Sequence, residues 1–327
     1  MVDDIPGQTG PRAHLGVEPG RDLLIARPDA FARGLNGDDI KRRLARGEWR
    51  SIRRGVYART AMVAGLSPEE LHRLRIEAAL PELGARYVVS HRSAACVHGL
   101  ALLRPPGRAV QVTDPGVRSG RRRAQLQAFC AALDQDEITV VDGCPVTTIA
   151  RTVVDLARSC GFEQAVVAAD HALRAGLVDR AALQEAAGRA HGRRGSRTAQ
   201  QVVAFADPRA ESVGESRSRV LLAREGLPPP ELQAPIRAGA GVVVARTDFC
   251  WRAARVVGEF DGAEKFGRRL RPGQGAGDAV FREKLREDRI RALGFSVVRW
   301  TWAELDDPAA LAGKIARALD RGRMLAR

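Results

Sequence analysis

The chain has 327 residues, with 53 Lys+Arg against 39 Asp+Glu and a formal net charge of +14. At about 150 residues per domain this length suits two or three domains, and the 45% hydrophobic content is enough to bury their cores. These values exclude an acidic, solvating chain, and the lack of any run of ~18 apolar residues excludes a helical membrane span.

Most of the basic excess is arginine, whose planar fork suits phosphate oxygens, so a polyanionic partner competes with a simple codon bias as its cause. Cys96, Cys130, Cys144, Cys160 and Cys250 are widely and irregularly spaced, without a C-x-x-C pair. They read as reduced thiols in a cytoplasmic protein. No secretory signal pattern opens the chain, and residues 1–20, with Pro6, Gly7, Gly10, Pro11, Pro19 and Gly20, read as a disordered leader.

From 21 to 60 the order is helix, helix, hairpin. Gly34-Leu35-Asn36-Gly37 breaks the chain, Asp38 to Arg46 forms a short helix with Ile40 and Leu44 at i, i+4, and Trp49 to Tyr57 folds back around Arg53-Arg54-Gly55. Lys41, Arg42, Arg43, Arg46, Arg50, Arg53, Arg54 and Arg59 cluster here. A basic helix followed by a hairpin with arginine at its tip can enter a major groove and hold backbone phosphates, as a winged helix-turn-helix does; a merely solvated basic face is the competing reading.

Residues 61–187 read as an α+β middle domain. Ser67 caps a helix with Pro68 at its first position and Glu70 three residues on. Tyr87-Val88-Val89 is a strand, Ser90 caps a helix over 91–100, Val110 to Thr113 is a strand, 118–123 is a basic turn, and 140–146 is a strand pair broken at Asp142-Gly143. His91 and His98 fit cap-adjacent and core positions better than a metal pair, since zinc-binding helices space histidines four apart. Thr147 or Thr148 caps a helix over 150–160 in which Arg151 and Asp155 can pair, and helices follow over 162–175 and 180–189. Gly188 to Ser196 opens a linker extending over 188–210.

After the linker, 211–327 reads helix (211–225), strands (231–236, 242–249, 255–260), helix (278–293), strand (295–300) and a terminal helix from Trp302. Asp248 and Glu259 close neighbouring apolar strands, which brings both carboxylates to one end of a sheet. With Glu215 from the preceding helix they suit Mg²⁺ or Mn²⁺, which would lower the pKa of a bound water and neutralise a scissile phosphate. Lys265 is the candidate to assist the attacking water, and Asp261 and Lys284 are auxiliary candidates.

Two resemblances follow. Thr247-Asp248-Phe249-x-Trp251, Val256-Val257-x-Glu259-Phe260-Asp261-Gly262-x-x-Lys265-Phe266 and Glu283-Lys284-x-Arg286-Glu287-Asp288 through Gly294-Phe295 to Arg299-Trp300-Thr301-Trp302 resemble a Vsr-like family of the PD-(D/E)XK nuclease superfamily. This resemblance implies an αβββαβ core with Asp248 and Glu259 as metal ligands and Glu215 as the helix-borne acid, although Asp261 stands where the superfamily pattern has lysine. Gly47-x-Trp49-x-x-Ile52-x-Arg54-Gly55-Val56-Tyr57, Ser90-His91-x-Ser93-Ala94-Ala95-x-x-His98-Gly99-Leu100 and Pro145-Val146-Thr147-Thr148-x-x-Arg151-Thr152-x-x-Asp155-Leu156-Ala157 resemble the AbiEi-type antitoxin and transcriptional-regulator family over about 21–180. It implies a winged helix-turn-helix that binds promoter DNA, followed by a helical and sheet middle domain; a nucleotidyltransferase-like toxin is the candidate partner if the chain is an antitoxin.

The expected architecture is therefore mixed α/β. Its leading function is double-stranded DNA binding with Mg²⁺-dependent phosphodiester hydrolysis, and the alternative is a non-enzymatic repressor or antitoxin with an inactive nuclease fold.

Overall fold

A computed structural model describes residues 20–84, 86–116, 119–123, 125–262 and 276–325. The leader expected over 1–20 lies almost wholly outside them, as does Lys265. Two units emerge, Met1–Gly84 with Asp142–Cys144, and Ala85–Val141 with Pro145–Arg327. A division thus falls near residue 84. Among the described residues no helix is long and apolar enough to cross a membrane.

In the first unit, β1 (Ile25–Ala26), α1 (Arg27–Ala32), α2 (Gly37–Ala45), β2 (Trp49–Arg53), β3 (Val56–Arg59), α3 (Thr60–Val63) and α4 (Pro68–Ala79) follow in order. Asn36 starts α2 through a capping box, its Oδ1 accepting from the amides of Asp38 and Asp39 while Asp39 accepts from the Asn36 amide, each at 2.9 Å. Ser67 and Glu70 form the box expected for α4. The antiparallel hairpin β2/β3 turns at Gly55, whose φ of 75° favours glycine, and β1 completes a three-stranded sheet in the order β1-β3-β2. Ile25, Ala30, Ile40, Trp49 and Tyr57 form one apolar cluster, and Ile52, Ala58, Val63, Leu71, Leu74 and Ala78 form another. The expected helix, helix, hairpin order is present, with a buried layer on either side of the small sheet.

The second unit opens with a six-stranded sheet of β4 (Val88–Val89), β5 (Val110–Thr113), β6 (Arg121–Arg123), β7 (Leu126–Phe129), β8 (Ile138–Val141) and β9 (Cys144–Thr147), ordered β6-β7-β5-β4-β9-β8. Its helices are α5 (His91–Val97), α6 (Ile149–Cys160), α7 (Phe162–Arg174), α8 (Arg180–Arg189) and α9 (Ser196–Phe205). Thr148 caps α6 by accepting from the Arg151 amide. The helices pack through small side chains, with Ala165, Ala168, Ala169, Ala172, Leu183, Ala199 and Val202 each at most 1% exposed. Ala190, Ala199, Val202, Val203 and Ala206, all within 188–210, are therefore part of this core. Gly195, at φ 80°, begins α9 where an added Cβ would come within 2.8 Å of the Arg158 backbone, so glycine permits both the turn and the close approach.

The C-terminal part of this unit runs α10 (Val213–Arg224), β10 (Glu231–Arg237), β11 (Val243–Trp251), β12 (Val256–Phe260), α11 (Ala276–Ala292), β13 (Ser296–Trp300), α12 (Trp302–Leu305) and α13 (Pro308–Leu325). The sheet order is β10-β11-β12-β13, antiparallel up to β12 and parallel between β12 and β13. Leu221, Leu222, Phe249, Phe260, Trp300, Ile315 and Leu319 form one core, and Cys250, Val257 and Ile290 belong to another with Ala234 and Ile236. Buried Asp170 of α7 links this part to the helical core, accepting from Ser216 Oγ, Arg219 Nη1 and the Asp207 amide, each at 2.7 Å.

Candidate nucleic-acid interface and carboxylate site

The α2 helix and its hairpin carry the cations expected to meet DNA. Lys41 pairs with Asp38 at 3.0 Å and Arg42 with Asp39, while Arg43 and Arg46 stand 3.7 and 3.8 Å from Glu48. The Arg43 guanidinium also lies 5.3 Å from the Trp49 ring centre, which fixes its stem against the sheet. Arg50, Arg54 and Arg59 are exposed on the hairpin. Arg53 differs: its side chain is 12% exposed and reaches Glu82 at 2.6 Å. The structure therefore brings together Lys41, Arg42, Arg43, Arg46, Arg50 and Arg54 as an accessible basic set and turns Arg53 inward.

The acids lie around the β10–β13 sheet. Glu215 is buried in the first turn of α10, where Ser212 Oγ donates to one carboxylate oxygen while the Glu211 amide and Gln233 Nε2 donate to the other, all at 2.9 Å. Gln233 sits in β10 at φ 50°, between the pairs Leu232↔Phe249 and Ala234↔Thr247. Asp248 Oδ2 accepts from the Phe260 amide at 3.0 Å. The paired register of β11 and β12 ends at Phe249↔Gly258, so this side chain supplies an acceptor just beyond the ladder.

Glu259 lies opposite Arg299 in the parallel β12–β13 register. One of its oxygens meets Arg286 at 2.6 Å and the other meets Arg299 at 3.3 Å. Asp261 donates its amide to the Trp300 carbonyl at 2.8 Å, and Lys284 is exposed on α11. Arg286 and Arg299 were absent from the sequence-derived site. Arg299 becomes readable only once the parallel register places it beside Glu259.

As they are held here, Glu215 and Glu259 do not fit a bound Mg²⁺ or Mn²⁺. A hard divalent cation needs carboxylate oxygens turned toward a shared point, whereas Glu259 is engaged by two guanidiniums and Glu215 by three protein donors. Among the described residues, no group of three or more His, Cys, Asp or Glu is placed to hold a metal ion.

The middle of the second unit holds a buried polar network that the sequence presented as scaffold. Arg151 joins Glu137 at 2.6 Å, Asp155 at 3.0 Å and the Ala132 carbonyl at 3.2 Å. Nearby His91, 5% exposed and at φ 55°, contacts Ser90 Oγ through Nδ1 at 2.8 Å and stacks on Phe129 with ring centres 3.6 Å apart. Burial pushes its pKa down to about 4; Asp155 opposes this shift, and Arg151 and Arg158 add to it. His98 donates from Nε2 to the Thr147 carbonyl at 2.7 Å, and burial lowers its pKa as well. Both histidines thus serve packing and local hydrogen bonding.

Residues 87–205, which contain this network, match the family model of the AbiEi antitoxin C-terminal domain. The chain is 34% identical over 218 residues to the uncharacterized protein MT2308 of Mycobacterium tuberculosis strain CDC 1551 / Oshkosh, covering 66% of this chain and 76% of that protein. The chain belongs to the same family as this mycobacterial protein. The uncharacterized protein Rv2248 of Mycobacterium tuberculosis strain H37Rv gives the same identity and coverage. The crystal structure of the RV2827C protein from Mycobacterium tuberculosis superposes with a TM-score of 0.36 at 16% identity, over 66% of this chain and 84% of that one. The AbiEi match begins after the hairpin that the sequence resemblance included, and extends through α9, which the sequence presented as a linker.

Proposed function

We propose that this chain is a DNA-binding regulator and antitoxin of the AbiEi type, acting without catalysis. The AbiEi domain match over 87–205 carries the proposal. In this reading the first unit is a winged-helix reader: α2 enters the major groove, Arg50 and Arg54 hold backbone phosphates from the hairpin, and the AbiEi domain opposes a nucleotidyltransferase-like toxin. The αβββαβ part is a nuclease-superfamily fold retained for binding.

The test uses fluorescence anisotropy with duplex DNA from upstream of the chain's own gene, beside a scrambled duplex. Preferential binding that weakens on changing Arg50 and Arg54 to Ala is expected, together with relief of growth arrest when a neighbouring toxin gene is co-expressed. Equal affinity for both duplexes and no relief of arrest would refute the proposal.

The second reading, a metal-dependent endodeoxyribonuclease, draws on Asp248 and Glu259 in neighbouring strands of an αβββαβ arrangement and requires Arg286 and Arg299 to release Glu259 when the ion binds. Nicking of supercoiled plasmid in Mg²⁺ or Mn²⁺ that disappears in Asp248→Ala would replace the non-catalytic reading. Equal background nicking by both proteins would remove the nuclease reading.

A further inference from the structure

Glu259 projects from β12 just beyond the last paired residues of β11, while β12 and β13 remain in register through Glu259↔Arg299 and Phe260↔Trp300. Its side chain is only 12% exposed, and among the described residues the guanidiniums that meet it come from different elements, Arg286 from α11 and Arg299 from β13. Each is also held elsewhere. Arg286 donates to the Arg246 carbonyl at 2.6 Å, and Arg299 pairs with Glu287 at 3.1 Å.

We infer that Arg286 and Arg299 are the built-in counter-cations of Glu259, forming a clamp that joins α11 to the end of the sheet and takes the place of a divalent ion. The chemistry follows from the ligands. A carboxylate bracketed by two anchored guanidiniums already has its charge compensated, and a divalent cation approaching it meets two positive charges that cannot withdraw without losing their other partners. The clamp also accounts for a mostly buried glutamate in a strand: removing its charge leaves two arginines without their shared anion. The inference stands apart from the DNA-binding proposal, because a chain that failed to recognise its promoter would still show the clamp in cation binding and melting.

The experiment compares thermal melts of the full chain in EDTA and in millimolar Mn²⁺, with Mn²⁺ binding followed by calorimetry. Wild-type protein should melt at the same temperature in both and give no binding isotherm. Glu259→Gln should melt several degrees lower in either buffer, because a clamp loses its anion. A metal-ligating glutamate predicts the opposite sign in EDTA, since its removal relieves repulsion between acids.

Changing both Arg286 and Arg299 to Ala should produce a Mn²⁺ binding isotherm where the wild type gives none, and Glu259→Gln in that background should abolish it. If the double variant does not fold, Arg286→Gln alone and the Glu259→Gln melt carry the test. Mn²⁺ stabilisation of the wild type that depends on Glu259, with or without added duplex DNA, would overturn the clamp. So would a higher melting temperature for Glu259→Gln in EDTA.

Discussion

His91 should make the second unit sensitive to mild acid. Its imidazole is buried between Ser90, Phe129 and the Arg151–Asp155–Arg158 charges, and its pKa falls from the ordinary 6.5 to about 4. The unfolded chain therefore takes up this proton at higher pH than the folded one. Stability from this group is present above pH 6.5 and is lost as pH falls toward 4. At about 1.4 kcal/mol per pKa unit, the loss across that window is about 3 kcal/mol. Urea unfolding at stepped pH measures it, followed by tryptophan emission, because Trp251, Trp300 and Trp302 lie in this unit. The comparison is His91→Asn, which tolerates the left-handed backbone at this position and does not titrate. His98 and His171, also held low by burial, would leave a residual slope in both proteins. An acid limb of equal steepness in His91→Asn and wild type would refute the reasoning.

Two structural variants test the packing of the same unit. Arg219→Ala removes the guanidinium from buried Asp170, where burial outweighs Arg219 and raises the carboxyl pKa; a loss of about 3–5 kcal/mol is expected in urea unfolding, and a loss under 1 kcal/mol would show that Ser216 and the Asp207 amide suffice. Gly258→Ala would place a Cβ 2.6 Å from the Trp300 ring, so a loss of about 1–3 kcal/mol is expected in the same assay, and an unchanged midpoint would mean that the ring can move aside.

Elements bounded by caps and glycines were legible in the sequence. The Ser67 box, the strand Val110–Thr113 and the helix Arg180–Arg189 all lie where local chemistry placed them, because each boundary is made by adjacent residues. The stretch 188–210 was misread for the same reason. Gly192 and Gly195 do mark turns, at φ 74° and 80°, but the turns reverse the chain tightly and do not release it. The signal against a linker was Ala199, Val202 and Val203, an apolar stripe at i, i+3, i+4 that is buried in the helical core. β6 hid differently: Arg121-Arg122-Arg123 has no apolar alternation and takes its extended form from pairing with β7. At the carboxylate site, Asp248 and Glu259 could be placed on neighbouring strands from turn spacing, whereas their partners depend on long-range register. Arg286 is separated from Glu259 by 27 positions, and no local pattern announces their pairing.

The same distinction bears on the charge of +14, because an arginine can serve DNA only if its present partner is weaker than a phosphate. Arg151, Arg219, Arg286 and Arg299 are tied into buried or half-buried pairs, so they contribute to net charge without being available to a duplex. On α2 and the hairpin, by contrast, the ion pairs of Lys41, Arg42, Arg43 and Arg46 are solvent-exposed and readily exchanged, and Arg50 and Arg54 are exposed on β2 and its turn. If these six cations supply the phosphate contacts, the slope of log affinity against log salt should be about −5, a loss of about a thousandfold between ~50 and ~200 mM. Arg53→Ala separates accessible charge from total charge: because Arg53 is held by Glu82, the change should lower the melting temperature of the first unit and leave the salt slope unaltered. A slope shallower by about 1 with no change in melting would instead make Arg53 a phosphate contact and refute this assignment of the basic surface.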